Sequence, residues 1–283
     1  MIKFGPSGNS KSFYDEGHKH TSETPEWLKN LGLDCFEYSL GRGITIKRET
    51  AVAIAENAAA CGVELSVHAP YFINFANPAS YQKSLEYILS SVEILRAFGG
   101  RRLVFHIGSQ QKMTRAEAFQ NSLNALKAVE NDVREIYPDF SELTLCPETM
   151  GKMGQIGSVD EIIEVCRAIK SFTPCVDFGH VNSREGGSLR DEAAFDGLIS
   201  RFLDALGQRA VNMHVHFSRI EYSAGGEVRH LTFADDKYGP YFEHLAPVII
   251  KRGLAPYIVC ESDGTQAEDA LCMKRCFESL SKK

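Results

Sequence analysis

No stretch of this chain offers the roughly 20 consecutive apolar residues that a membrane-spanning helix needs. The longest apolar segment, APVIIKRGLAPYIV at 246–259, is interrupted by Lys251, Arg252 and Pro256, so no membrane partner is expected. The opening MIKFGPSGNS has neither the charged start nor the apolar run of a secretory signal and reads as a first strand, which makes a cytoplasmic protein the expectation. Eight cysteines, at 35, 61, 146, 166, 175, 260, 272 and 276, form no CxxC pair and sit in apolar contexts. They read as small buried residues of a reducing compartment rather than as disulfides, and Cys272 and Cys276, at helical spacing, read as core packing. No Pro/Gly/Ser-rich linker divides the chain, so one domain over 1–283 is expected, and a monomer. A positive excess is missing too: the formal net charge is −6, whereas phosphate-binding proteins usually carry a basic footprint. That objection weakens if acidic residues hold divalent ions, since three such ions add about six positive charges.

What is present is an alternation. Hydrophobic residues at 43% and charged residues at 24% are ordinary for a globular chain, and 283 residues fit one large barrel of about 250. Short apolar or β-branched runs predict strands at 2–5, 35–39, 64–69, 102–107, 143–148, 174–178, 210–217 and 256–261. Amphipathic stretches predict helices over 23–31, 47–61, 79–99, 114–136, 158–170, 190–206, 238–252 and 266–281. Thr24, Thr114 and Ser158 stand where helix N-caps belong, with acidic residues just after them. Eight β-α pairs in strict succession predict an α/β fold, a single (β/α)8 TIM barrel around a parallel eight-stranded sheet, with its site at the C-terminal face.

Metal-competent side chains recur at the ends of those strands. His68 ends the third, His106 the fourth, Glu148 the fifth, Asp177 the sixth and Glu261 the eighth, while His214 lies in the last half of the seventh. In a TIM barrel these ends converge on one face, so the six residues are predicted to surround one site. Burying three carboxylates with three imidazoles would cost several kcal/mol per charged group, a cost that cations reverse. Nitrogen and oxygen donors without thiolate suit Zn²⁺, Mn²⁺ or Fe²⁺, and six donors exceed what one tetrahedral ion uses. At least two ions are implied, bridged by a carboxylate such as Glu148. Such a pair activates water and stabilises both the attacking and the leaving oxygen of a phosphodiester.

The segments SVHAPYFINFANP (66–78), VFHIGSQ (104–110), PETMGKMGQIGS (147–158), VDFGHVNS (176–183), MHVHFS (213–218) and VCES (259–262) resemble, in order, those of the endonuclease IV family of apurinic/apyrimidinic endonucleases. More distantly the chain resembles the xylose-isomerase-like barrels. The first resemblance implies a zinc-dependent DNA repair enzyme with two to three ions, Mn²⁺ being an alternative, that cuts duplex DNA 5′ to an abasic site. It implies that His68 and His106 share one ion with Glu148, that Glu148 bridges to a second held by Asp177, His214 and Glu261, and that His180 and His230 hold a third. Glu148 and Glu261 would be the catalytic carboxylates. Where the family often places an aspartate two residues before the last histidine this chain has Val228, and Glu227 substitutes if the loop shifts by one residue.

By period two, His216 shares a strand face with His214 and reads as a donor behind the ligands, as a substrate contact, or as a ligand compensating for Val228. The resemblance places Tyr71 and Phe72 as the wedge beside a flipped-out abasic nucleotide. Arg42, Lys152, Arg184, Arg219 and Arg229 fall in top-face loops, where they are candidate phosphate contacts or ordinary solvated charges. Two rival functions remain: a divalent-metal sugar isomerase or epimerase, for which a third ion is superfluous, and a barrel that binds DNA or metal without turnover.

Overall fold

Each predicted strand segment forms a strand in the computed structural model, which describes residues 2–282. The strands are β1 (Lys3–Pro6), β2 (Cys35–Ser39), β3 (Glu64–His68), β4 (Arg102–Phe105), β5 (Thr144–Pro147), β6 (Cys175–Asp177), β7 (His214–Phe217) and β8 (Tyr257–Cys260). They pair in parallel as β2-β3-β4-β5 and as β1-β8-β7-β6. Single parallel bridges, Ser7 to Glu37 and Glu148 to Cys175, span the two seams. The eight strands therefore follow one another round a ring in chain order, as a TIM barrel requires.

Side chains alternate along each strand between two environments. Outward residues such as Phe36, Phe105, Val176 and Phe217 pack under the surrounding helices in one hydrophobic cluster running from Phe4 to Met273. Inward residues fill the barrel differently, with small apolar clusters (Cys35 with Tyr257 and Val259; Val104 with Cys146 and Cys175) interleaved with buried polar side chains that include Glu37, Ser66, His214 and His216. All eight cysteines are free thiols, five of them buried and two more partly so.

Helices begin where the caps predict at two places. Thr114 and Glu117 form a capping box for Arg115–Ile136, and Ser158 and Glu161 for Val159–Ala168. Thr24 is instead the first residue of its helix, and its hydroxyl donates to Asn9 Oδ1 at 2.8 Å. The seventh strand begins at His214 rather than at 210, because Gln208–Val211 turn as a short helix. Two further elements follow the strands on the site face: a helix at Phe178–Arg184, and an antiparallel hairpin of Ile220–Ser223 with Gly226–His230. Among the described residues no helix is long and apolar enough to cross a membrane.

Candidate metal centre

Strand register decides which side chains share a layer. Asp177 on β6 lies opposite His216 on β7, whereas His214 lies opposite Cys175, one layer deeper. Donor atoms of Glu148, Asp177, His216 and Glu261 accordingly fall within 4.8 Å of one another. His216 Nδ1 stands 3.2 Å from Glu148 Oε1 and 3.4 Å from Glu261 Oε2. His214 falls outside this group of four and lies instead with Cys175 and His216 in a deeper one. It is fully buried, its ring stacked on Tyr257 and its Nε2 3.1 Å from Glu37 Oε2. His216, not His214, stands level with Asp177, because the strand starts four residues later than its apolar run and so puts His214 at its beginning.

On the other side of Glu148, His68 Nε2 approaches Oε2 at 3.1 Å and His106 Nε2 at 3.0 Å. Glu148, at 1% exposure, is the one carboxylate that touches both groups. His68 uses its other nitrogen on a backbone carbonyl, donating Nδ1–H to Ala69 O at 2.8 Å. Its Nε2 then presents a lone pair to a carboxylate oxygen, and two acceptors at that distance need a cation or a proton between them.

The third group is His180, Glu227 and His230. His180 donates Nδ1–H to Thr149 O at 3.0 Å and turns Nε2 toward Glu227 Oε2 at 3.4 Å. His230 Nδ1 is engaged by Ser218 Oγ at 2.9 Å. Glu227 reaches this position through a β-bulge. Glu221 pairs with Arg229 but Tyr222 pairs with Glu227, so Val228 is the extra residue, half exposed and outside the ladder. One inserted residue reverses the side-chain phase, which brings Glu227 and His230 to the same face despite their odd spacing. Two glycines let the hairpin close on the site. A Cβ on Gly226, at φ +89°, would stand 2.1 Å from Gly151 O, and one on Gly151 would stand 2.7 Å from Glu227 Cβ.

The electrostatics match a site made for positive charge. Burial works against a charged Glu148, yet the His216 and His106 imidazoles hold its carboxyl well below the usual range. Burial likewise opposes charge on Glu261, and His216 outweighs it, leaving the carboxyl at about 2. Asp177 is pushed up to about 6 by burial and by its neighbours Glu261 and Glu148, against the pull of His180. Its Oδ1 caps the following helix by accepting His180 N–H at 2.7 Å, while the buried Oδ2 has no hydrogen-bond partner among the described residues. That orphaned oxygen and the opposed His68 Nε2 and Glu148 are what a hard or borderline divalent ion would satisfy, so the residues fit the group that the sequence implies.

The aromatic and basic candidates divide. Tyr71 and Phe72 stand exposed in the loop after β3, Tyr71 stacked on His106 with centroids 5.6 Å apart. Arg184 donates to the carbonyls of Met150, Lys152 and Gln155, and Arg219 to those of Phe233 and Asp235, so both hold loops in place. Arg229 pairs with Glu221 at 2.7 Å. Lys152 lines the roughly 380 Å³ cavity over the cluster, together with Tyr71, His106, Gln155 and Glu227. Glu37, a carboxylate in the middle of the strand CFEYS, has no local spacing in the sequence that links it to histidines some 180 positions away.

The family described as xylose isomerase-like TIM barrel matches residues 25–276. An uncharacterized protein of Methanocaldococcus jannaschii is 28% identical over 287 residues, 99% of this chain and 98% of that one. The probable endonuclease 4 of Bacillus velezensis is 27% identical over 165 residues, 55% of this chain and 52% of that protein, so the match spans about half the length of this relative. Among solved structures, endonuclease IV from Thermus thermophilus superposes with a TM-score of 0.67 at 21% identity, over 99% of this chain and all of that one. A D-psicose 3-epimerase crystallised in the presence of D-fructose superposes at 0.69 with 12% identity, over the whole of both chains. At these identities the two structures show the shared fold alone.

Proposed function

The chain belongs to the xylose isomerase-like TIM barrel family, and from that premise we propose that it is a divalent-metal-dependent phosphodiester hydrolase that opens duplex DNA on the 5′ side of an abasic site. The observation that carries this reading is the third donor group. His180, Glu227 and His230 stand beside two further donor groups, which share Glu148 and His216. Moving a proton on a sugar needs no such addition, whereas cleaving a phosphodiester places charge on attacking, leaving and non-bridging oxygens together.

Zinc, or manganese in its place, would supply Lewis acidity for the phosphate and lower the pKa of water at the site. The chain's own residues do the rest. Glu148 ties the His68–His106 side to the Asp177–His216–Glu261 side, so the charges that meet the phosphate keep a fixed spacing. Glu261, held ionised and on the cavity wall, would orient an attacking water by accepting its hydrogen bond. Tyr71 and Phe72, exposed beside His106, offer apolar surface to fill the gap that an extruded abasic sugar leaves in the duplex.

A second reading rests on a specific observation: Glu148, Asp177, His216 and Glu261 alone make a one-ion site with a carboxylate pair, which is sufficient for epimerisation at a carbon next to a carbonyl. One experiment separates the two. Zinc- or manganese-loaded protein is incubated with a duplex carrying a single abasic analogue, with the undamaged duplex, and with free ketoses. The expected result is a nick 5′ to the lesion only; turnover of a ketose with the lesion duplex left whole transfers the assignment to the epimerases.

A further inference from the structure

We propose that Glu37 is a positioning residue for the metal centre, its carboxylate keeping the proton of His216 on Nε2 so that Nδ1 is free to bind the ion. The inference rests on the reading of Glu148, Asp177, His216 and Glu261 as ligands. A neutral imidazole carries one N–H, and whichever nitrogen has it cannot bind metal. In His216, Nδ1 faces Glu148 and Glu261, and Nε2 faces Glu37 Oε1 at 2.9 Å. The two atoms lie within ion-pair distance without hydrogen-bond geometry, and among the described residues neither has a hydrogen-bond partner. Glu37 is therefore the group that acts on the far side of this ring, as a carboxylate behind a metal-binding histidine commonly does.

Stability does not explain the residue. Glu37 is fully buried in a barrel interior where branched aliphatic side chains ordinarily pack. A buried ion pair rarely outperforms a hydrophobic replacement of similar volume. Its setting is nonetheless built: Ser66 Oγ donates to Oε2 at 3.0 Å, and His214 Nε2 lies 3.1 Å from the same oxygen. Glu37 thus stands between two imidazoles, fixed from the side by a hydroxyl, one layer beneath the ligands. The inner His214 fills the space under His216 and shares its carboxylate.

The test is metal affinity, measured by competition with a chromophoric chelator on the full chain, for wild type, Glu37→Gln and Glu37→Val, together with the melting temperature of each metal-free protein. The expected result is zinc binding weakened by roughly 10–100-fold in both variants, with metal-free melting temperatures no lower than that of the wild type for Glu37→Val. Unchanged affinity in Glu37→Gln overturns the proposal while leaving the centre intact. A lost ion in Glu37→Gln that is lost equally in Cys175→Ser also overturns it, since Glu37 would then be a ligand of an inner site with Cys175 and His214. A wild-type protein that binds no divalent ion removes the centre itself, and this inference with it.

Discussion

At the scale of single residues, Glu148 and His216 carry most of the consequences. Glu148 is within 3.2 Å of His68, His106, His180 and His216, so its charge is shared by every part of the cluster. Glu148→Gln keeps shape and volume but removes that charge. The variant is expected to fold, with an unchanged circular dichroism spectrum, to bind at least one ion fewer by elemental analysis, and to lose activity by a factor on the order of 10³ or more. Wild-type metal content in this variant would remove Glu148 as the bridge. His214 and His216 show how fine the discrimination is: two histidines on one strand face, two positions apart, differ by one barrel layer, and His216 stands level with Asp177 while His214 stands level with Cys175.

At the scale of elements, the hairpin and the loop over 148–155 decide whether the third donor group exists. The bulge at Val228 turns Glu227 inward, and contact between Gly151 and Gly226 lets the hairpin approach. Gly226→Ala introduces a Cβ that collides with Gly151 O and asks a non-glycine residue to hold φ +89°. The expected cost is about 1–3 kcal/mol of strain, relieved by the hairpin backing away. Bound metal should then fall by the equivalent of one ion while the His68–His106–Glu148 group stays filled. A full complement of ions in Gly226→Ala would show that Glu227 is dispensable to the third group. Arg184 works on the same loop from beneath, so the charge that looked fit for a phosphate is spent on backbone carbonyls.

At the scale of the whole molecule, the barrel collects negative charge at one end, where a bound cation would become part of what holds it together. Glu148, Asp177 and Glu261 have oxygens within 4.8 Å of His216 and of one another, a grouping that metal ions stabilise and their removal exposes. Chelation followed by dialysis is expected to lower the melting temperature, and zinc to restore it. An ion present at about a thousand times its dissociation constant adds roughly 4 kcal/mol. At about 2–4 °C per kcal/mol for a chain of this size, the shift is on the order of 10 °C. A melting temperature indifferent to chelation would mean that the buried carboxylates are balanced by imidazolium protons alone.

Much of this was written in the chain itself. Alternation of apolar runs with amphipathic stretches is a local property, so the eight strands, the two capping boxes and the order of the barrel followed from spacing. The residues closing strands three, four, five, six and eight converged because parallel strands in a barrel all end on one face. Register, by contrast, is a relation between strands. Only the pairing of β6 with β7 could show that His216 and not His214 stands level with Asp177. The bulge that brings in Glu227, and the buried Glu37 behind His216, lie in the same category. Each depends on which backbone atoms pair across distant segments, and a linear sequence carries that information only through contacts that form once the chain has folded.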